Sequence, residues 1–463
     1  MTCRIHHSIS IVSAIRFETS CDLVFLVFLG LLSKLTVAID SWLPFSLQYF
    51  VVDITSLSHT RLVALLFLGF VSLIYYLTRP LNIFRDLTGE KSDKFFKLPA
   101  KNDSMAKDHI VSRLRRESDA KKLPLYPNGW FRILESWEIG PEKVKYVAAL
   151  GENFAVFRKS DGKVHVVDAY CPHLGANMGI GGSVKNGCLE CPFHGWQFDG
   201  ETGKCSNIPY AKKIPEFAKV RTWKSVEVNH IIFVWYHAEG EEPSYEIQPF
   251  ADIMDGSYTY KGRFEYLLDA HVKDLFQNLV DNEHVNCLHA PRMLMTGADL
   301  DGSKRKWLSN FTNLTQFTHW EPDADLPHMS WLRNEMHIKL FNRITIIKSN
   351  ILARNIGPGY FELTQSTSLG NTRYTLCLTP VAPLTLRLTT RLYMRPFTIL
   401  VGPIALHGLK NALEDDIMVW NYGKPRAHLN VVKEDGSIAH FRRWYNQFYS
   451  KNSPSLNCQD TTY

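Results

Sequence analysis

Two short motifs carry the sharpest chemistry in the chain: Cys171-Pro-His173 and, seventeen residues further on, Cys191-Pro-Phe-His194. Each brings one thiol and one imidazole, both ligands for transition metals. A structural zinc site more often opens with two cysteines in one knuckle and closes with two histidines. With both cysteines on one iron and both histidines on another, the set makes a [2Fe–2S] centre. Its neutral imidazoles raise the reduction potential, which suits a relay passing electrons onward. Gly175 and Gly195 follow the ligands, where a missing side chain lets backbone N–H groups approach the cluster sulfurs. Zinc is the remaining alternative. Cys188 and Cys205 fall outside the pattern and are expected to be packing residues.

A second constellation follows in the run Asn278-Leu-Val-Asp281-Asn-Glu-His284-Val-Asn-Cys-Leu-His289. Five residues of a straight α-helix rotate by roughly 500°, so His284 and His289 would point apart. They can share a metal only if the helix kinks or ends between them. Two histidines and a carboxylate form the facial triad of non-haem Fe(II) oxygenases, which leaves positions open for O₂. The spacing alone is a weak signal, since a polar helix face would read the same way. The carboxylate must come from elsewhere, and Leu409–Tyr422 offers Glu414, Asp415 and Asp416. Leu413, Ile417 and Trp420 form the apolar stripe of that helix. Asp416 lies beside the stripe and is the expected ligand. Glu414 and Asp415 are expected to be solvated charges.

These residues need a scaffold. Residues 129–241 read as short strands, including Phe154–Arg158, Lys163–Asp168 and His230–His237. Residues 255–450 mix strands with helices, of which His271–Cys287 and Pro403–Tyr422 are the clearest. Upstream, residues 62–78 carry no charge between Arg61 and Arg79, the short end of a membrane-spanning length. Arg79, Arg85, Lys91, Lys94 and Lys97 follow that run, while only Arg61 precedes it from Asp40 on. The bias places the C-terminal side in the cytosol. A second apolar run, Leu23–Ser33 within residues 1–61, is shorter and suits a spanning or an interfacial role equally. Residues 79–125 read as a juxtamembrane linker and 451–463 as a tail.

The context DAYCPHLGANMG…LECPFHGWQFDGETGKCSNIPY resembles the Rieske domain of ring-hydroxylating oxygenases, and Asp-x₂-His-x₄-His is that family's iron pattern. EDDIMVW is similar to the segment that bears the family's carboxylate ligand, its second Asp matching Asp416. More specifically, residues 60–450, through FRRWYNQFY at 441–449, look like the Neverland-type cholesterol 7-desaturases, membrane-anchored Rieske non-haem iron oxygenases. The C-terminal stretch is also similar to bacterial steroid-hydroxylating Rieske enzymes.

The resemblance implies an α+β chain: an N-terminal transmembrane segment, an all-β Rieske domain and a helix-grip type α+β catalytic domain with a mononuclear iron. Cys171, His173, Cys191 and His194 would hold the [2Fe–2S] cluster; His284, His289 and Asp416 would hold Fe(II). Asp281 would bridge to His194 of a neighbouring subunit in a homotrimer. The activity implied is conversion of cholesterol to 7-dehydrocholesterol with O₂, an early step toward ecdysteroid-type steroid hormones. NAD(P)H would supply electrons through a separate reductase, because the chain has no G-x-G-x-x-G fingerprint after a strand and no plant-type ferredoxin spacing. Membrane-bound chlorophyll-pathway relatives often carry a C-terminal Cys-x₂-Cys, absent here, where Cys458 stands alone. The rivals are a Rieske hydroxylase of another hydrophobic substrate and a pure electron carrier. The expected location is the endoplasmic reticulum membrane, with the catalytic domain facing the cytosol.

Composition narrows the classes further. With 45% hydrophobic and 21% charged residues, the chain is neither disordered nor collagen-like. A net charge of +6, with no basic block in the C-terminal three quarters, argues against nucleic acid as a partner. Nine scattered cysteines do not make a secreted disulfide framework.

Overall fold

A computed structural model of the chain describes residues 59–96, 123–289, 312–341, 343–368, 370–395, 402–426 and 428–455. The run Leu23–Ser33, residues 97–122 of the expected linker and residues 456–463 of the expected tail lie outside them. The chain divides into a small unit ending at Ser72 and a large one from Leu73 onward. The division falls within helix α1 (His59–Thr78). Phe67, Leu68 and Phe70 on α1 are 59–65% exposed, so the described residues leave much of its apolar surface uncovered. Among the described residues, no helix is long and apolar enough to cross a membrane.

Strand β1 (Leu81–Leu87) and helix α2 (Glu90–Phe95) follow, so this part of the expected linker is structured. β1 alternates in burial and pairs in parallel with a later strand, Leu81 opposite Gly262 and Leu87 opposite Leu268. A Cβ on Gly262 would meet the Leu81 carbonyl oxygen at 2.2 Å, so glycine is what lets the two backbones close.

The next strands are β2 (Gly129–Glu135), β3 (Val144–Ala149), β4 (Glu152–Arg158), β5 (Val164–Asp168), β6 (Ser183–Lys185), β7 (Cys188–Glu190), β8 (Gln197–Asp199), β9 (Cys205–Asn207), β10 (Thr222–Trp223), β11 (Ser225–Val228) and β12 (Ile231–Tyr236). They form three small sheets, ordered β10-β5-β4-β3, β11-β12-β2 and β6-β7-β8-β9. The apolar runs in β4 and β12 have a simple cause: both strands are covered on both faces. Phe154 and Val156 of β4 enter one core, whereas Ala155 and Phe157 enter a second core that contains Cys171 and Cys191. In β12, Ile232 and Val234 join the first core, while Ile231 and Phe233 pack with Tyr360 and Cys377 of the following sheet.

That sheet contains β13 (Thr259–Asp269), β14 (Thr312–Pro322), β15 (Met329–Leu340), β16 (Ile344–Ile356), β17 (Tyr360–Thr367), β18 (Gly370–Ala382) and β19 (Thr385–Met394). Its order is β1-β13-β19-β18-β17-β16-β15-β14, antiparallel except at β1. Three helices pack on one core with it: α3 (Val272–Asn278), α5 (Gly402–Tyr422) and α6 (Gly436–Tyr445); a short helix, α4 (Asn282–His284), lies between α3 and α5 in sequence. Ile417 of α5 is fully buried there, with Leu413 and Trp420 against its edge, the stripe expected from sequence.

A buried ionic cluster ties β2 to this sheet. Glu135 accepts from Arg132 Nε at 2.9 Å and from Arg391 Nη1 at 3.0 Å, and Arg132 Nη2 reaches Glu265 at 3.0 Å. Burial pushes Glu135 up, but Arg391, Arg132 and Arg263 outweigh it and hold the carboxyl below its ordinary 4.5. A carboxylate depressed by folding contributes stability above its unfolded pKa and loses it as pH falls through the folded value. Glu135→Gln is therefore expected to cost about 3–5 kcal/mol at pH 7, the price of leaving buried guanidinium groups unpaired. Its penalty should shrink on acidification below 4.5, as measured by denaturant unfolding of the full chain against pH. A pH-independent penalty would mean that packing, and not charge, is lost.

Candidate metal centres

The cysteine-histidine motifs occupy two loops of matching backbone geometry. The first joins β5 to β6 and the second is the β7–β8 turn. In the first, Cys171 N–H donates to Ala176 and Gly175 N–H donates back to Cys171; in the second, Cys191 donates to Trp196 and Gly195 to Cys191. Gly175 and Gly195 sit at φ +72° and +71°, a conformation that favours glycine and turns each loop back over its cysteine. The loops bring like ligands together. Cys171 and Cys191 are both buried in one core, and the His173 and His194 rings lie 4.6 Å apart at 70°.

Burial pushes the Cys171 thiol up to about 11, and neighbouring Cys191 adds to the shift. His173 Nδ1 is buried with no hydrogen-bond partner among the described residues. Two buried thiols side by side, near a buried imidazole nitrogen with no hydrogen-bond partner among the described residues, fit a cluster with two thiolates on one iron and two imidazoles on the other. Sequence reading missed the residues that hold the rings. Trp196 stacks on His173 at 4.7 Å and 7°, and its indole N–H donates to Tyr210 Oη at 2.8 Å. The Gly-Trp after His194 was the available signal. Cys205 is buried and Cys188 half-buried, the latter accepting from Ser206 Oγ.

His284 and His289 come together by the route that the rotational mismatch required. α4 runs directly into a π-helical turn, Val285–His289. A π turn closes in i→i+5 steps, so residues five apart share a face. The two rings lie 5.4 Å apart at 83°. His289 Nε2 is 3.1 Å from Asp416 Oδ1 of α5, with both side chains 11% exposed. Ligand atoms of His284, His289 and Asp416 all lie within 4.8 Å of one another.

Asp281 builds the approach to this site. Its carboxylate caps the helix, accepting from Glu283 N at 2.9 Å and His284 N at 3.2 Å. Its carbonyl oxygen accepts a hydrogen bond from His284 Nδ1–H at 2.7 Å, which leaves Nε2 with the lone pair for a metal. Burial lowers the His284 pKa and favours the neutral ring a metal needs. Two imidazoles and one enclosed carboxylate fit a facial iron site.

The neighbours of Asp416 correct the sequence reading: Glu414 and Asp415 are both 2% exposed and are not solvated charges. Glu414 accepts from Arg85 of β1 at 2.8 Å, Tyr266 Oη at 2.9 Å and Lys410 Nζ at 3.2 Å. These contacts fix α5 to β1 and β13, one residue pair away from the metal-facing carboxylate. A separate brace holds α3: Arg442 of α6 donates to Gln277 and Asp274.

A sheet-borne thiolate-imidazole loop pair, followed by a two-histidine, one-carboxylate site under a long helix, defines a Rieske-type oxygenase. The Rieske [2Fe-2S] domain family matches residues 129–218, and the 3-ketosteroid 9alpha-hydroxylase C-terminal domain family matches residues 234–449. The chain belongs to the cholesterol 7-desaturase family. It is 42% identical to "Cholesterol 7-desaturase nvd 1" of Ciona intestinalis over 75% of this chain and 74% of that one. It is 39% identical to "Cholesterol 7-desaturase nvd" of Xenopus laevis over 83% and 84%. Among solved structures, dicamba monooxygenase bound to 3,6-dichlorosalicylic acid shares the fold, with a TM-score of 0.54 and 20% identity over 70% of this chain and 97% of that one.

Proposed function

We propose that the chain converts cholesterol to 7-dehydrocholesterol at a membrane, early in ecdysteroid-type hormone synthesis. The observation that carries the reading is the enclosed His284, His289 and Asp416 triad downstream of the Cys171, His173, Cys191 and His194 loops. Family membership supplies the substrate. The balance is closed: O₂ takes two electrons from NAD(P)H with two protons, and two hydrogens with their electrons from the sterol, and leaves as two waters. A bound cluster would supply single electrons, and a bound Fe(II) would supply O₂ activation. The protein's own work is positional. Asp281 sets the His284 tautomer, the π turn aligns the histidines, and burial of Asp416 excludes water.

A separate reductase is the proposed electron donor. The assembly proposed is a head-to-tail homotrimer in which Asp281 meets His194 of the next subunit. It is supported by the uncovered apolar rim around the cluster loops, where Leu174, Phe193 and Tyr210 are 61–64% exposed. The anchor proposed is α1, whose exposed apolar side chains need a lipid or protein cover. The endoplasmic reticulum is the membrane proposed, with the cations after α1 on its anionic cytosolic face.

A second reading, hydroxylation of another steroid, is favoured by the match of residues 234–449 to the 3-ketosteroid 9alpha-hydroxylase domain. The test is sterol profiling of cholesterol-fed cells expressing the native chain or His284→Ala. New 7-dehydrocholesterol with the native chain alone is expected. A hydroxysteroid as the only new product would support the second reading and reject the first.

A further inference from the structure

Strand β16 outruns β17 on one side, while β14 pairs along β15 as far as Leu340. β17 pairs with β16 only from Ser349 to Ile356, so Ile344–Lys348 extends beyond it. The extension pairs back onto His337–Leu340 of β15, and the hairpin turns at Phe341, whose φ is +52°. Its base is tied to the iron site. Ile338 is 4% exposed and packs on Val285, the residue that opens the π turn between His284 and His289, with Met336 and Ile347 alongside. Its tip has the opposite character: Phe341, Ile344 and Ile346 are 52%, 59% and 49% exposed. The pairing skips Ile346, a bulge that leaves it outside the ladder.

Within the hairpin itself the charge near the tip has one sign. Lys339 and Arg343 flank it, and no acidic residue occurs between Glu335 and Glu362. Glu335 itself is engaged by Lys348 at 2.7 Å and His337 at 3.0 Å. Apolar side chains at a protruding turn, rimmed by long cationic side chains that can reach upward to headgroups, match the boundary layer of a bilayer with anionic lipid.

We infer that the β15–β16 hairpin tip dips into the lipid surface and sets the iron-site wall against it, so that substrate enters from the bilayer and not from water. The occupant rests on the membrane reading above; the place rests on the hairpin's own chemistry. It is a second contact, distinct from α1.

The test uses the full chain with Ile344→Trp, in vesicles of phosphatidylcholine containing one-fifth phosphatidylserine. The native chain's tryptophan emission is the baseline. The expected result is that the chain floats with vesicles and the added indole is quenched by acyl-brominated lipid but shielded from iodide. Flotation with iodide quenching alone would overturn the hairpin proposal and leave the membrane reading standing. Failure of the native chain to float would overturn both. Iodide shielding that persists in detergent, without quenching by brominated lipid, would assign the tip to a second copy and overturn the lipid occupant. In the same vesicles, Ile344→Asp with Ile346→Asp is expected to raise KM for cholesterol roughly tenfold at unchanged kcat, a loss of delivery and not of chemistry. Unchanged KM would contradict the entry route.

Discussion

Asp416→Ala is expected to abolish turnover while the cluster's spectrum survives. Asp416 is the one carboxylate within 4.8 Å of both histidine ligand atoms among the described residues. Disturbing even an outer-shell partner of a metal costs about 10–100-fold, so removal of a direct ligand should exceed about 100-fold. The mononuclear iron should be lost, leaving two irons per chain where the native protein would hold three. The cluster loops share no element with α5, so their visible and paramagnetic signals should be unchanged. The substitution removes one enclosed negative charge, and the helix keeps its anchor through Glu414, Arg85 and Tyr266. Loss of the cluster signal together with the iron would show that the two centres are not independent.

Asp281→Asn is expected to be the second most damaging change, through a different mechanism. Asparagine caps helices about as well as aspartate, so the contacts to Glu283 N and His284 N should persist. The backbone carbonyl that orients His284 is untouched. Both metals should therefore stay bound and stability should hold. Only the charge is lost, and with it the proposed bridge to His194 of the next subunit. Turnover should fall by about 10–100-fold, the range for an outer-shell partner. Asp281→Ala should additionally cost about 1 kcal/mol of helix stability through the missing cap. Single-turnover kinetics separates these outcomes. A normal electron-transfer rate in Asp281→Asn would leave Asp281 with its capping role alone.

Much of the site was legible because its chemistry is written in short motifs. Cys171, His173, Cys191 and His194 are set by two local loops, and the loops' glycines are visible in sequence. The five-residue gap between His284 and His289 posed a geometric problem that sequence could state but not solve. The π turn is the solution, and no residue in Val285–His289 announces it. The helix stripe of Leu413, Ile417 and Trp420 put Asp416 beside the core, where it is 8% exposed, but put Asp415 outside, although it is in fact 2% exposed. The same wheel misjudged Glu414, because one helix seen alone cannot show that Arg85, 329 residues earlier, covers it. β1 was hidden for a related reason: Leu-Asn-Ile-Phe-Arg-Asp-Leu is half polar, and its pairing partner lies far downstream in β13.

Removal of two hydrogens from a sterol is the reaction this pair of centres would perform. The most direct test is a single turnover of the pre-reduced, metal-loaded full chain in cholesterol-containing vesicles, with product identified by mass. The expected product is 7-dehydrocholesterol, up to one per mononuclear iron, from the native chain and none from Asp416→Ala. A hydroxylated sterol alone, or no product from a chain holding both centres, would contradict it.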